Sequence, residues 1–133
     1  MIKTSLIEDT PLIIKAKINE LILKNFKNSR LNTYQILIYK IIDNEIIGFL
    51  GLHDYEEYLS INQLCVDIKY RNIGIANDLL IYLNNHFKNN NFILFVDKDK
   101  PNYEYLVNYY KQRGFIECPP QNPDECKMIK LNQ

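Results

Sequence analysis

Only two histidines and three cysteines occur among the 133 residues, and no Cys-x-x-Cys spacing is present. A structural zinc centre draws four ligands from such residues, so no metal site is expected. The odd cysteine count argues against a disulfide framework and for reduced thiols in a cytoplasmic protein. Cys118 and Cys126 flank a proline-rich turn and could face each other across a hairpin, but no functional disulfide is expected there. Charge of one sign is also lacking, since sixteen basic and sixteen acidic residues cancel. A nucleic-acid or membrane-surface binder would be expected to carry a basic stripe, so neither partner is indicated. Met1 to Asp9 has no apolar signal-peptide core. The apolar runs Ile46 to Leu52 and Phe92 to Val96 are far too short to cross a bilayer.

What is present is ordinary globular composition, 47% apolar and 24% charged. Residues 1–133 read as one domain, long enough for a proper core and too short for two. Ile2 to Ile7 reads as a first strand. Asp9-Thr10-Pro11 starts a helix, with Thr10 or Asp9 as cap and proline at the first helical position. That helix carries Ile14, Ile18, Leu21, Ile22 and Phe26 on one face and ends in Lys27-Asn28-Ser29-Arg30. Tyr34 to Ile42, a tight turn at Asp43-Asn44-Glu45 and Ile46 to Leu52 form a hairpin. Gly48 and Gly51 in its second arm predict a bulge or a close backbone approach.

An acidic, aromatic loop from His53 to Tyr58 leads into a fourth strand, Leu59 to Val66. A helix follows with Ala76, Leu79, Leu80, Leu83 and Phe87 on one face, and Asn89-Asn90-Asn91 stops it. Phe92 to Val96 is continuously apolar, as for a strand covered on both faces. Asn102 to Arg113 forms the last helix, closed by Gly114. Phe115 to Cys118 and Lys127 to Leu131 finish the chain as two strands around Pro119-Pro120-Gln121-Asn122-Pro123. Helices between strands imply parallel pairing and hairpins imply antiparallel pairing, so a mixed sheet is predicted.

The chain is organised around Leu64 to Leu80. An apolar strand ends, a polar bend follows, and Arg71-Asn72-Ile73-Gly74-Ile75-Ala76 opens a helix. A Gly and an Ala at a helix mouth keep side chains away from backbone N–H groups that have no intrahelical partner. Those donors and the positive end of the helix dipole suit a phosphate, and Arg71 adds a fixed charge at the rim. Gly74 relieving local crowding is the plainer alternative.

Leu64-Cys65-Val66-Asp67 through Tyr70-Arg71-Asn72-Ile73-Gly74-Ile75-Ala76 to Leu79-Leu80 resembles motif A of the GNAT acyltransferases. Ile68 departs from it, because many members carry proline there. Tyr110-Lys111-Gln112-Arg113-Gly114-Phe115 resembles the family's Tyr-x-x-x-Gly-Phe ending of the last helix, and the element order agrees from end to end. The resemblance implies an α/β (α+β) GNAT fold: a single mixed, mostly antiparallel sheet of about six to seven strands, splayed between the fourth and fifth, with three to four flanking helices. It further implies an acetyl-CoA-dependent N-acetyltransferase acting on a primary amine by direct attack in a ternary complex.

On that resemblance the Arg71 to Ala76 loop binds the cofactor pyrophosphate. Backbone at Leu64, Cys65 and Val66 pairs with the pantetheine arm and polarises the thioester carbonyl. Tyr110 protonates or hydrogen-bonds the leaving thiolate, with Tyr109 as its one-residue alternative; the plainer alternative is a core tyrosine, since Leu106, Tyr109 and Tyr110 share a helix face. Asn102 matches a cofactor contact near the start of the last helix, one residue further from Gly114 than is usual; a simple helix cap is the alternative. Ser60-Ile61-Asn62-Gln63 holds no acid, so no general base can be named. Asp67, Asp54, Glu56 and Glu57 are the nearby carboxylates. The last three read either as a solvated loop or, with the flanking tyrosines, as an attraction for a cationic amine. Cys65 lies inside an apolar strand with no His or Asn placed beside it and is not read as a nucleophile. The acceptor stays open between a small amine and a peptide or protein amine. Edge-strand pairing between subunits would make a homodimer, by family analogy. The rival reading is a GNAT-fold module that holds CoA or a partner chain without turnover.

Overall fold

The computed structural model of the chain describes residues 1–25, 34–119 and 122–132. Its elements run β1 (Ile2–Leu6), α1 (Leu12–Asn25), β2 (Ile36–Ile42), β3 (Glu45–Asp54), β4 (Tyr58–Val66), α2 (Ile75–His86), β5 (Asn91–Asp97), α3 (Tyr103–Lys111), β6 (Ile116–Cys118) and β7 (Glu125–Lys130). The predicted order of strands and helices is thus observed. The strands form one sheet ordered β1-β2-β3-β4-β5-β7-β6. The β1/β2, β2/β3, β5/β7 and β6/β7 pairs are antiparallel, and β4/β5 is parallel. The parallel register covers only Tyr58↔Asn91, Leu59↔Phe92 and Ser60↔Ile93, and the pairing of these two strands stops there. Contacts gather the chain into two compact units, Met1–Asp54 with Ile61–Lys88, and Tyr55–Ser60 with Asn89–Gln133.

In the first unit, Asp43 and Asn44 both take positive φ, at 51° and 64°. That is the conformation of a two-residue hairpin turn whose twist matches its strands. The register then slips between Lys40 and Ile41, leaving Ile47 as the extra residue of a bulge. The bulged residue's carbonyl accepts the Asp67 N–H at 2.8 Å, which ties the end of β4 to β3. Seven consecutive β3 residues, from Ile46 to Leu52, are buried. Ile18, Leu21 and Ile22 of α1 form one core with Tyr34, Leu37, Tyr39, Phe49 and Cys65. The opposite face belongs to α2. A Cβ on Gly48 would stand 3.1 Å from Ile75, 3.2 Å from Leu79 and 3.2 Å from the Cys65 carbonyl oxygen. The predicted close backbone approach is real.

The start of α1 differs from expectation. The Thr10 hydroxyl turns back, donating to the Leu6 carbonyl at 2.8 Å and meeting Ser5 Oγ at 2.6 Å. Lys15 N–H bonds the Pro11 carbonyl, so proline stands at the cap position itself. The 3-10 turn Ile7–Asp9 brings the Leu6 carbonyl within reach, so the hydroxyl turns toward it and away from the helix N–H groups that a cap would accept from. Phe26 and Lys27 to Arg30, expected to end this helix, lie outside the described residues, as do Pro120 and Gln121 of the late turn.

In the second unit, α3 packs on β5 and β6. Phe92, Leu94 and Val96 are buried, whereas Phe95 is 53% exposed. The expectation that β5 is covered on both faces is therefore corrected. Burial alternates with the pleat, and its apolar run hides that alternation because Ile93 and Phe95 are apolar too. All three cysteines are free. Cys118 stands opposite Lys127, so Cys126 is one position out of register and points to the other face of the hairpin.

Gly51 is buried in β3, and a Cβ there would lie 2.7 Å from the Tyr34 ring. That ring is held against Phe49, and its hydroxyl is hydrogen-bonded to Gln63, so it has little freedom to move away. Gly51→Ala should destabilise the chain by about 1–3 kcal/mol, the usual cost of overpacking. Urea denaturation checks this, with the midpoint falling and the slope unchanged.

Candidate functional site

In the first unit, β4 ends with Cys65 buried and with Leu64 and Val66 partly covered. Asp67 then caps a 3-10 turn, Ile68–Tyr70, by accepting the Lys69 N–H at 3.1 Å. An aspartate in that position needs no proline after it, and Ile68 is 73% exposed. Asn72 has φ 64° and Gly74 has φ 89°. These two left-handed residues lead directly into α2, which starts at Ile75. Gly74 is the helix cap residue and makes no side-chain cap bond, while its carbonyl accepts the Asp78 N–H at 3.0 Å. A Cβ on Gly74 would meet nothing within 4 Å. Gly74 is there for its backbone conformation, and crowding plays no part. With no capping side chain, the N–H groups of Ile75 and Ala76 stand before the first intrahelical acceptor at an open mouth.

Arg71 is fastened at that rim. Its Nε donates to the Val66 carbonyl at 3.1 Å and its Nη2 to Asn25 Oδ1 at 2.5 Å. Asn25 is itself held, since its Nδ2 donates to the Leu21 carbonyl at 2.8 Å. Asn25 was not foreseen. It ends α1, 46 residues before Arg71, and no local pattern signals so distant a pairing. Behind the loop, burial pushes the Cys65 thiol up to about 11, Arg71 lowering it somewhat and Asp67 raising it.

The second unit holds Asn102, Tyr109 and Tyr110. Asn102 sits at the cap position of α3 without a side-chain cap bond and is exposed. Its carbonyl accepts the Leu106 N–H at 2.9 Å. At the other end, Gly114 has φ 94° and Phe115 N–H reaches the Tyr110 carbonyl at 3.1 Å, closing the helix as a Schellman motif. That closure folds Phe115 onto Tyr110, whose ring it meets edge-on at 5.6 Å. Tyr110 is 8% exposed. Burial first, and Tyr109 second, push its phenol up to about 12 against the lowering effect of Arg113. Tyr109 is raised as well, chiefly by burial. The Arg113 guanidinium lies over its ring at 3.5 Å, a face contact, and its buried hydroxyl has no partner among the described residues. Tyr55, Glu56 and Glu57 are exposed, with Glu56 at φ 68° and the Tyr55 N–H on the Tyr58 carbonyl.

The acetyltransferase (GNAT) domain profile matches residues 15–131, and the chain belongs to this family. No curated protein matches it in sequence. Among solved structures it is similar to the PaiA N-acetyltransferase of Thermoplasma acidophilum in complex with coenzyme A, at 13% identity and TM-score 0.74, over 98% of this chain and 99% of that one. Arabidopsis thaliana Naa50, bound to the bisubstrate analogue CoA-Ac-MVNAL, aligns at 20% identity and TM-score 0.69, over 96% of each chain. An aminoglycoside 6'-acetyltransferase of type Ii aligns at 18% and 0.72, over 98% of this chain and 97% of that one. At such identities these structures speak for the fold.

The three thiols differ enough to be told apart. Cys65 and Cys126 are buried and held above the ordinary thiol range, mainly by that burial, while Cys118 is partly exposed. A thiol shifted upward stays protonated and unreactive at neutral pH. Alkylation of the native chain at pH 7.5 should label Cys118 first. Cys65 and Cys126 should follow only in denaturant, as peptide mass mapping would read out.

Proposed function

We propose that the chain transfers an acetyl group from acetyl-CoA to a primary amine by direct attack in a ternary complex. The observation that carries the reading is the uncapped mouth of α2, with Gly74 left-handed and open above it and Arg71 fixed at its rim. Family membership supplies the cofactor class. In this reading the N–H groups from Arg71-Asn72-Ile73-Gly74-Ile75-Ala76 and the Arg71 charge take the pyrophosphate. Backbone at Leu64, Cys65 and Val66, beyond the last β4/β5 pair, takes the pantetheine arm and offers a donor to the thioester oxygen as it becomes an anion. Asn102 is a further cofactor contact.

Tyr110 is assigned to the leaving thiolate. A phenol held near 12 stays protonated across the working pH range, so it acts as a donor and never as the base. A thiol titrates near 8.5 in the ordinary case. Full proton transfer from Tyr110 to a thiolate is therefore uphill, and a strong hydrogen bond during bond cleavage is the larger part of its contribution. Cys65, protonated and buried, is no rival nucleophile.

The acceptor is an amine that must arrive unprotonated at the thioester. The exposed acids Asp54, Glu56 and Glu57 beside Tyr55 favour a cationic acceptor. Both a peptide amine, as in the Naa50 complex, and a small amino compound, as for the aminoglycoside enzyme, satisfy that chemistry.

Saturating acetyl-CoA tests the cofactor assignment by thermal shift. At a hundred times its Kd it should stabilise the wild type by about 2.7 kcal/mol, which is several degrees for a domain of this size. The Arg71→Glu, Gly74→Asp double variant should show no shift. A wild type that also shows none would favour a GNAT scaffold holding something other than acyl-CoA.

Turnover with a panel of amines tests the enzyme assignment. Amine-dependent CoA release is expected, and Tyr110→Phe should lower kcat about tenfold with little change in KM for acetyl-CoA. The wild-type rate should show no fall from phenol ionisation near pH 10, where an ordinary tyrosine would be about half ionised. A Phe variant that keeps full activity would remove Tyr110 from the mechanism.

A further inference from the structure

Lys40 and Asp78 form an ion pair, Nζ to Oδ2 at 2.9 Å, with side chains 18% and 46% exposed. They lie 38 residues apart, and packing alone brings them together. Lys40 stands opposite Gly48 in the β2/β3 register. Ile75 and Leu79 of α2 close over Gly48, which lays the first turn of α2 across that part of the sheet. Asp78 is the acid of that first turn.

An acid there has two opposed effects. It complements the positive end of the helix dipole in the ligand-free chain. It also puts a negative charge within one turn of the N–H groups that would receive a phosphate, and like charges at such a separation repel. We propose that Lys40 is a positioning residue for the anion site at the mouth of α2. By pairing with the Asp78 carboxylate it cancels the repulsion and holds the turn in place. The assignment rests on the acyl-CoA reading above and adds to it a residue outside both family motifs. It gives the affinity of the site for its pyrophosphate a dependence on one half-buried lysine in β2.

Calorimetric titration of acetyl-CoA into the full chain decides it, using the wild type, Lys40→Met, Asp78→Asn and the double variant at low and high salt. Lys40→Met should bind about five- to tenfold more weakly, with the difference shrinking as salt screens it. Asp78→Asn should bind as tightly as the wild type or a few-fold tighter. The double variant should return to within about twofold of the wild type, although it lacks the ion pair and melts at a lower temperature. A double variant as weak as Lys40→Met would make the pair a structural tie only and overturn the proposal. Unchanged affinity in Lys40→Met would overturn it as well. So would weakened affinity in Asp78→Asn, which alters an exposed side chain and gives an answer even if Lys40→Met does not fold. A wild type that takes up no acetyl-CoA would defeat the acyl-CoA reading and this proposal together, and the wild-type titration separates that failure from the others.

Discussion

The missing side chain of Gly48 is the constraint on which the first unit depends. At that one position the end of β4, through the Cys65 carbonyl, and the start of α2, through Ile75 and Leu79, both come within contact of β3. Even a methyl there would stand 3.1–3.2 Å from the Ile75 and Leu79 side chains and the Cys65 carbonyl oxygen, which would have to give by a few tenths of an ångström in a close-packed interior. The bulge one residue away presents the Ile47 carbonyl to Asp67, so β3 also fixes where β4 ends. Strand end, turn and helix start are thereby placed by a neighbour that belongs to none of them. The loop from Arg71 to Ala76 is held between two anchored ends, which lets it carry left-handed residues and an uncapped helix without collapsing onto itself.

The second unit solves a different problem with similar means. The Schellman closure at Gly114 folds Phe115 back against the Tyr110 phenol at the end of a short helix. The same contact that orients the ring removes it from water, and removal from water raises the phenol. Orientation and protonation are therefore not independent properties of Tyr110. Loosening the helix end would change both together.

What the sequence makes legible here is local. The tight turn at Asp43-Asn44, the helix-closing Gly114, and the order of strands and helices all follow from residues close along the chain, whereas the left-handed conformation of Gly74 was not foreseen. Gly48 announced a close approach without naming its partner. The misreadings have physical causes of the same kind. Thr10 had partners on both sides, helix N–H donors ahead and the Leu6 carbonyl acceptor behind, and the 3-10 turn decides between them. The run from Phe92 to Val96 has no polar residue to mark its exposed face, so its pleat is invisible until burial is known. Asn25, Lys40 and Asp78 escaped notice because their partners are 46 and 38 residues away. Within the candidate site, the residues that present backbone were readable from motif spacing. The side chains that hold those residues in place were not.

Arg71 has a consequence for encounter as well as for binding. Its acceptors among the described residues are a carbonyl and an amide, both neutral, so its charge is oriented without being compensated. The chain as a whole has no net charge and exerts little pull at long range. A fixed bare cation beside a helix terminus is felt only within about one Debye length, roughly 8 Å at physiological salt. An anion arriving by diffusion would meet no attraction until it is almost docked. Capture should then be governed by geometry at close quarters, with an association rate that responds only weakly to ionic strength.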